Sequence, residues 1–385
     1  MKAHTPKQTL LLVANWDSGV GYAWWLMESF WTELARRYHR EYRVLLTYPS
    51  ISEIPTTLRH APLEITTCDF HAGGAGGIWR QLHFLRRHRV HVIYFSDWPT
   101  WCWKYALYRL AGVRRIVVHD HTPGLRTVPP AAKRWAKALA HRLPWVTADT
   151  AIGASEFVRQ RLIEINRMPE RRVFAAPNGL PEGPQNGTEA DLHKLFSIPA
   201  ERKILIMTGR AHPYKGIPFV LECLALLTRQ YERRDVHFLF VGDGPALTEF
   251  VQKARDLGIG DLCTFSGRRN DVSALLAGAH VAIHPSRGEV GYSLSILEYM
   301  RAGLPVLVPD NPSVCGATED GITGLIYREE DAADATQKIL RLVDDEALRK
   351  RIGHAARAAA KDYKLERTQA AVLSALEATL ARYRA

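Results

Sequence analysis

Short apolar runs separated by helix-length stretches set the rhythm of this chain. Leu10–Ala14 and Arg43–Thr47 are two such runs, and the stretch between them, Tyr22–Arg37, is rich in Trp, Leu, Phe and Ala. Val90–Phe95, Arg115–His119, Ala148–Ala154 and Val173–Ala176 continue the pattern with helical spacers. Alternation of this kind reads as β-α-β and calls for a parallel sheet with helices on its faces. Residues 177–187, PNGLPEGPQNG, break the rhythm with a dense set of turn formers and predict a domain linker. The pattern then restarts with strands at Lys203–Thr208, His237–Gly242, Cys263–Ser266, Val281–Pro285 and Pro305–Val308. Between them lie helices at Ile217–Tyr231, Ala246–Leu257, Val272–Ala277 and Ser293–Ala302. Asp331–Asp344, Glu346–Lys361 and Glu366–Tyr383 predict terminal helices. The fold class is α/β, with two Rossmann-like, doubly wound parallel-sheet domains spanning 1–182 and 188–363. Two such domains leave a cleft at the carboxyl ends of their strands, where ligands of open α/β sheets bind.

Length and composition agree with this division. A chain of 385 residues suggests two domains, and 46% hydrophobic residues let each bury a core. The apolar runs are too short for a transmembrane helix, and Thr9–Ala14 is too short for a secretory signal. The five cysteines at 68, 102, 223, 263 and 315 are scattered and form no CxxC pair. They predict reduced thiols and a cytoplasmic location. Charge and aromatics are uneven. All ten tryptophans fall in the first 145 residues, and residues 71–150 carry 13 Lys/Arg against 3 Asp/Glu in a chain of net charge +11. The front half is therefore expected to meet something anionic or interfacial. Nucleic acid is set aside because no recognised binding module accompanies the charge. Within Pro129–Val146, residues Lys133, Arg134, Trp135, Lys137, Arg142 and Trp145 share a helix-length stretch, as in a helix lying on anionic lipid. Trp98, Trp101 and Trp103 could add an interfacial or sugar-stacking group, whereas Trp24, Trp25 and Trp31 suggest core filling.

Four segments could carry chemistry. Thr208-Gly209-Arg210-Ala211-His212-Pro213-Tyr214-Lys215-Gly216 follows a strand and precedes a helix. Glycines let backbone amides approach an anion, a helix N-terminus favours it, and Arg210 and Lys215 supply a forked donor and a point charge suited to a diphosphate. The bland alternative is a basic loop that caps a helix. In the loop and helix from Pro285 to Glu298, Glu298 lies one turn after Leu294 and can accept two hydroxyls of a ribose or sugar; the alternative is a solvated helix residue. His119 and His121 alternate at a strand end, as acid/base or sugar-contacting groups, as structural histidines, or as a metal pair that lacks a clear third ligand. Asn15-Trp16-Asp17-Ser18-Gly19-Val20-Gly21 places a GxG at a strand-to-helix turn, a weak signal alone.

In this order the segments resemble the GT-B-fold retaining glycosyltransferases of family 4. The resemblance is strongest over 151–330. It rests on Ala151–Glu156, Pro177-Asn178-Gly179, Gly209-Arg210…Lys215-Gly216, Val241–Pro245, Glu298–Val306 ("EAMAxGxPV") and Thr318–Leu325 ("edGxtGll"). It implies a nucleotide-sugar donor, UDP- or GDP-linked, with no metal or other cofactor. Arg210 and Lys215 would hold the diphosphate, with Arg268 in the same donor set, and Glu298 would bind the ribose. Backbone around Gly291, Tyr292, Ser293 and Leu294 would face the sugar and phosphates. His121, or else His119, would sit near the reacting carbon, with Gly19 and Gly21 beneath the phosphates. The last helix, 366–385, would cross back onto the first domain. That domain would bind the acceptor, with His119, Trp98 and Trp101 as contacts.

One departure stands out. The family spaces its two glutamates as E-x7-E, and counting back from Glu298 lands on Val290, so Glu289 is one residue early. Either the loop shifts and Glu289 still reaches the sugar as a catalytic residue, or the donor is read differently; Tyr292-Ser293 also replaces the usual "FG" pair. The reading is a glycosyltransferase acting on a cell-envelope glycan or lipid-linked acceptor, peripheral to an anionic membrane at the inner face of the plasma membrane. The alternatives are a non-catalytic, basic, Trp-rich binding protein and a GT-B-like sugar-nucleotide epimerase.

Overall fold

The computed structural model describes residues 7–19, 25–183 and 189–384. The chain forms two compact units, one of residues 1–122, 126–177 and 366–385, the other of 123–125 and 178–365.

The first unit holds β1 (Thr9–Val13), β2 (Arg43–Tyr48), β3 (Glu64–Thr67), β4 (Val90–Ser96), β5 (Arg115–Asp120), β6 (Thr150–Gly153) and β7 (Val173–Ala175). They form one sheet in the order β3-β2-β1-β4-β5-β6-β7, with every pairing parallel. Both faces of the sheet are covered along its inner strands, so β1 and β4 read as continuous apolar runs. Leu11, Val13, Ile93, Phe95, Ile116 and Val118 face a core shared with Leu85, Tyr105 and Tyr108 of the helices Gly74–Arg87 and Lys104–Leu110. The opposite face meets the helix Trp25–Tyr38, whose Phe30 packs against His119 at 5.3 Å between ring centroids. The terminal helix Leu365–Arg384 buries Val372, Ala375 and Leu376 in this unit, and its Thr379 hydroxyl meets that of Thr150 at 2.6 Å.

The second unit holds β8 (Lys203–Thr208), β9 (Val236–Val241), β10 (Cys263–Phe265), β11 (Val281–Ile283), β12 (Val306–Pro309) and β13 (Gly324–Tyr327). Their order is β10-β9-β8-β11-β12-β13, again all parallel. The period of two is explicit here. Leu205, Met207, Phe238, Phe240 and Leu307 enter one core with the helices Ile217–Gln230 and Ala332–Asp344. Ile204, Ile206, Leu239, Val241, Val306 and Val308 enter the other with Leu294–Ala302 and Val272–Ala277.

The strands β3 and β13 are absent from the sequence expectation. β3, Glu-Ile-Thr-Thr, is a half-exposed edge strand with no apolar run. β13 starts at the glycine of the turn-like Gly321–Gly324 stretch, which masks it. The helix expected over Tyr22–Arg37 is seen as Trp25–Tyr38, and residues 20–24, including Trp24, lie outside the described residues. The basic stretch Pro129–Val146 is helical only over Ala131–Ala140.

Candidate active site

In both units the strand order reverses between the first strand and the fourth, and at the carboxyl end of such a switch point the flanking loops splay apart to receive a ligand. In the second unit the switch lies between β8 and β11. The loop after β8 carries Gly209, Arg210 and Lys215, and the loop after β11 carries His284 to Gly291. Gly216, at φ 81°, closes the first loop and caps the helix Ile217–Gln230. A methyl group there would run into the Pro285 carbonyl, so glycine lets the two loops meet. The Tyr214 hydroxyl donates to the Gly288 carbonyl across the same contact.

At this meeting point Lys215 Nζ lies 2.6 Å from Glu289 Oε1, and His284 Nε2 lies 3.0 Å from the same oxygen. Glu289 is 8% exposed. Burial by itself would raise its pKa, but Lys215 and then His284 outweigh it and hold the carboxyl well below the usual range. Burial also lowers the His284 pKa, against the opposing effect of its hydrogen bond to Glu289. Glu289 is thus the anion that Lys215 meets at this point of the fold. Sequence reasoning did not single out His284, the polar residue that ends the apolar run of β11. Arg210 and Arg268 are exposed.

Glu298 stands in the middle of Leu294–Ala302. This helix is tied to the carboxyl end of β8, because the Tyr299 hydroxyl accepts from Thr208 N at 2.7 Å. The Ser293 side chain caps the helix by accepting from Ile296 N. That leaves the first-turn amides of Leu294 and Ser295 without an intrahelical acceptor, a natural anion site. Glu298 is half-buried, and among the described residues no side chain or amide is hydrogen-bonded to its carboxylate. Burial pushes its pKa up, against a smaller opposing effect of Arg301. An ionisable group desolvated without a protein partner, at a switch point, is a candidate ligand contact. Two neighbours expected in the donor set are spent on the fold. The Gly291 amide donates to Ser313 O at 2.8 Å and so offers no bond to a ligand. The Tyr292 ring is buried against Tyr363, and its hydroxyl donates to Asn178 O at 3.0 Å.

In the first unit the switch lies between β1 and β4. The Asn15 side chain after β1 donates to Asp97 O at 2.8 Å. Asp97, at φ 54°, accepts the His121 amide on Oδ1 at 2.5 Å. Burial pushes the Asp97 pKa up to about 7; the bond from His121 N opposes the rise and Asp120 adds to it. Asp120 fixes the loop after β5 by pairing with the buried Arg161 at 3.2 Å, and Arg161 also donates to Thr122 O at 2.8 Å. His119 and His121 do share a side of the sheet, with ring centroids 4.1 Å apart. His121 is half-buried. His119, expected to contact the acceptor, is instead fully buried, hydrogen-bonded through Nδ1 to the Tyr94 hydroxyl at 2.5 Å and held neutral by burial.

Two more expectations for this unit change. Trp98 is no acceptor platform: it is 8% exposed and stacks on Phe95 at 4.9 Å, within the core. Trp101 remains exposed. The Gly19 amide is committed to Asp17 Oδ1 at 2.8 Å, so an anion arriving there would face a carboxylate rather than a free donor. Gly21 lies outside the described residues. Among the described residues no group of three or more His, Cys, Asp or Glu side chains is gathered for a metal.

Residues 189–359 match the family description "Glycosyl transferases group 1", and residues 27–182 match "Glycosyltransferase Family 4". The chain is 27% identical over 282 residues to the alpha-D-kanosaminyltransferase of Streptomyces kanamyceticus, covering 69% of this chain and 70% of that protein. A solved glycosyltransferase from Rickettsia africae ESF-5 superposes with a TM-score of 0.75 at 18% identity, covering 97% of this chain and 99% of the other. Anabaena HepE, solved in complex with UDP-glucose, gives 0.72 at 17% identity, covering 96% and 99%. With one description falling on each half and the whole architecture shared, the chain belongs to the group 1, family 4 glycosyltransferases and has their GT-B fold.

Proposed function

We propose that this glycosyltransferase moves a sugar from a UDP- or GDP-linked donor, with retention at the anomeric carbon, to a cell-envelope glycan or lipid-linked acceptor at the inner face of the plasma membrane. The observation that carries the donor reading is Glu298, a desolvated carboxylate without a hydrogen-bonded protein partner beside the switch point of the second unit. A ribose diol supplies the two hydroxyl donors that it lacks. Arg210 and Lys215 take the diphosphate, together with Arg268 and the first-turn amides of Leu294 and Ser295. As the bond to the sugar breaks, negative charge grows on the departing diphosphate, and these donors stabilise it without a divalent cation. The diphosphate competes with Glu289 for Lys215, which frees the Glu289 carboxylate to accept from a sugar hydroxyl. His121, held by Asp97 through its backbone amide, is the catalytic residue of the first unit. The UDP-glucose bound to Anabaena HepE supports the donor class.

The test is thermal stabilisation by UDP, GDP, ADP and their sugars, without added metal and again with a chelator. The reading expects one nucleotide class to raise the melting temperature, with the rise lost in Arg210→Ala and Glu298→Ala. Sugar transfer that survives both substitutions rules the assignment out. Stabilisation that depends on a divalent cation rules out the metal-independent form.

A further inference from the structure

The segment between β5 and β6 contains a helix turned inside out. Ala131–Ala140 is helical over ten residues, yet none of them is buried. So short a helix is marginal in water without a partner for its apolar face. Trp135 and Leu139, one turn apart, are 75% and 62% exposed. On the opposite side Lys137 Nζ donates to Ile165 O at 3.1 Å and ties the polar face to the body of the unit. A surface helix of a water-soluble domain has the reverse arrangement. The apolar face continues into Leu143 and Trp145 and across to Trp101, which bridges Thr147, and Trp103; all four are exposed. Charge accompanies it: residues 121–148 contain no carboxylate and carry Arg126, Lys133, Arg134, Lys137 and Arg142.

Exposed tryptophans and leucines need an apolar phase, the amphipathic indoles favour the headgroup boundary, and the unopposed cations need anions beside it. An anionic lipid surface offers all three; a soluble polyanion offers only the last. We infer that residues 131–145, with Trp101 and Trp103, form an interfacial docking element that seats the first unit on an anionic bilayer. The inference deepens the membrane-proximal acceptor reading and takes its biological purpose from it, but the contact itself can be scored without any sugar transfer.

The full-length protein is floated with phosphatidylcholine vesicles, with and without phosphatidylglycerol, alongside three variants. These are Arg126→Glu/Lys133→Glu/Arg134→Glu, Trp135→Ser/Leu139→Ser, and a control on the second unit, Lys350→Glu/Lys361→Glu. Binding should require phosphatidylglycerol and weaken with salt. The first variant should bind on the order of 100-fold more weakly and the second at least about tenfold, while the control binds as the wild type does. Both docking variants should keep the wild-type melting temperature, since the side chains they alter are exposed. Tryptophan quenching by brominated lipid should fall in the Trp135 variant. Wild type that ignores anionic vesicles overturns the inference, as does an apolar variant that binds fully while dextran sulfate displaces it, the mark of a soluble polyanion site. UDP-induced stabilisation is measured on the same samples: its presence alongside failed docking overturns only the docking element, and its absence alongside intact docking overturns only the donor reading.

Discussion

Replacing Glu298 by glutamine should make the ligand-free protein more stable and its donor weaker. Burial raises the carboxyl pKa above its ordinary 4.5, and no protein donor is hydrogen-bonded to the ionised form. The sign follows by linkage. A group whose folded pKa is raised contributes stability that is complete below the unfolded pKa and is lost as pH rises through the folded value. At neutral pH the wild type therefore carries a desolvation penalty that Glu298→Gln removes. Relief at such a position is worth about 0.5–2 kcal/mol. In a domain the size of the second unit that corresponds to a melting temperature about 1–8 °C higher. The gain should vanish as the pH falls below the ordinary carboxyl range. The donor moves the other way. Hydrogen bonds to a charged acceptor are worth about 1.5–3 kcal/mol, so losing that charge weakens the donor on the order of 10- to 100-fold. A nucleotide sugar at roughly 100 times its Kd stabilises the wild type by about 2.7 kcal/mol, and a 100-fold weaker complex at the same concentration by about 0.4 kcal/mol. Differential scanning calorimetry with and without the nucleotide that stabilises the wild type reads both numbers. A ligand-free variant that melts below the wild type at neutral pH, or one that keeps the full ligand shift, refutes the reasoning.

Three further outcomes are expected. Gly216→Ala combines a left-handed φ of 81° with a methyl group aimed at the Pro285 carbonyl, and should cost more than about 1 kcal/mol by urea denaturation together with the ligand shift. Arg161→Met strands Asp120 in a buried position and should cost about 3–5 kcal/mol, read as an early transition of the first unit. Asp97 has its folded pKa raised to about 7 from 3.8, so its stabilisation is complete below about pH 3.8 and fades as pH rises through 7. Asp97→Asn tolerates the positive φ and still accepts the His121 amide, so it should flatten that loss in a series of melts from pH 5 to pH 8.

The two βα arrays were legible in the sequence because strands covered on both faces must be apolar at every position, whatever their neighbours. Leu10–Val13 and Ile204–Met207 announce themselves in that way. The edge strand Glu64–Thr67 did not, since only one flank of an edge pairs and its side chains stay half-exposed. Within the candidate site, local order showed that Lys215 and Glu298 follow strands and that glycines close the loops. Only the tertiary structure decided what each side chain meets. Lys215 and Glu289 are 74 residues apart in sequence, and their contact exists because β8 and β11 are neighbours in the sheet. The same holds for His284 behind Glu289 and for Tyr299 against Thr208. Trp98 and Trp101 differ by three positions in one loop, yet one stacks in the core and the other is exposed. His119 and His121 share a side of the sheet, but His119 lies within β5 whereas His121 follows its end at Asp120, and only His121 is partly open. Periodicity along the chain sets which face a residue takes; depth and partner depend on packing between distant segments, which no local spacing encodes.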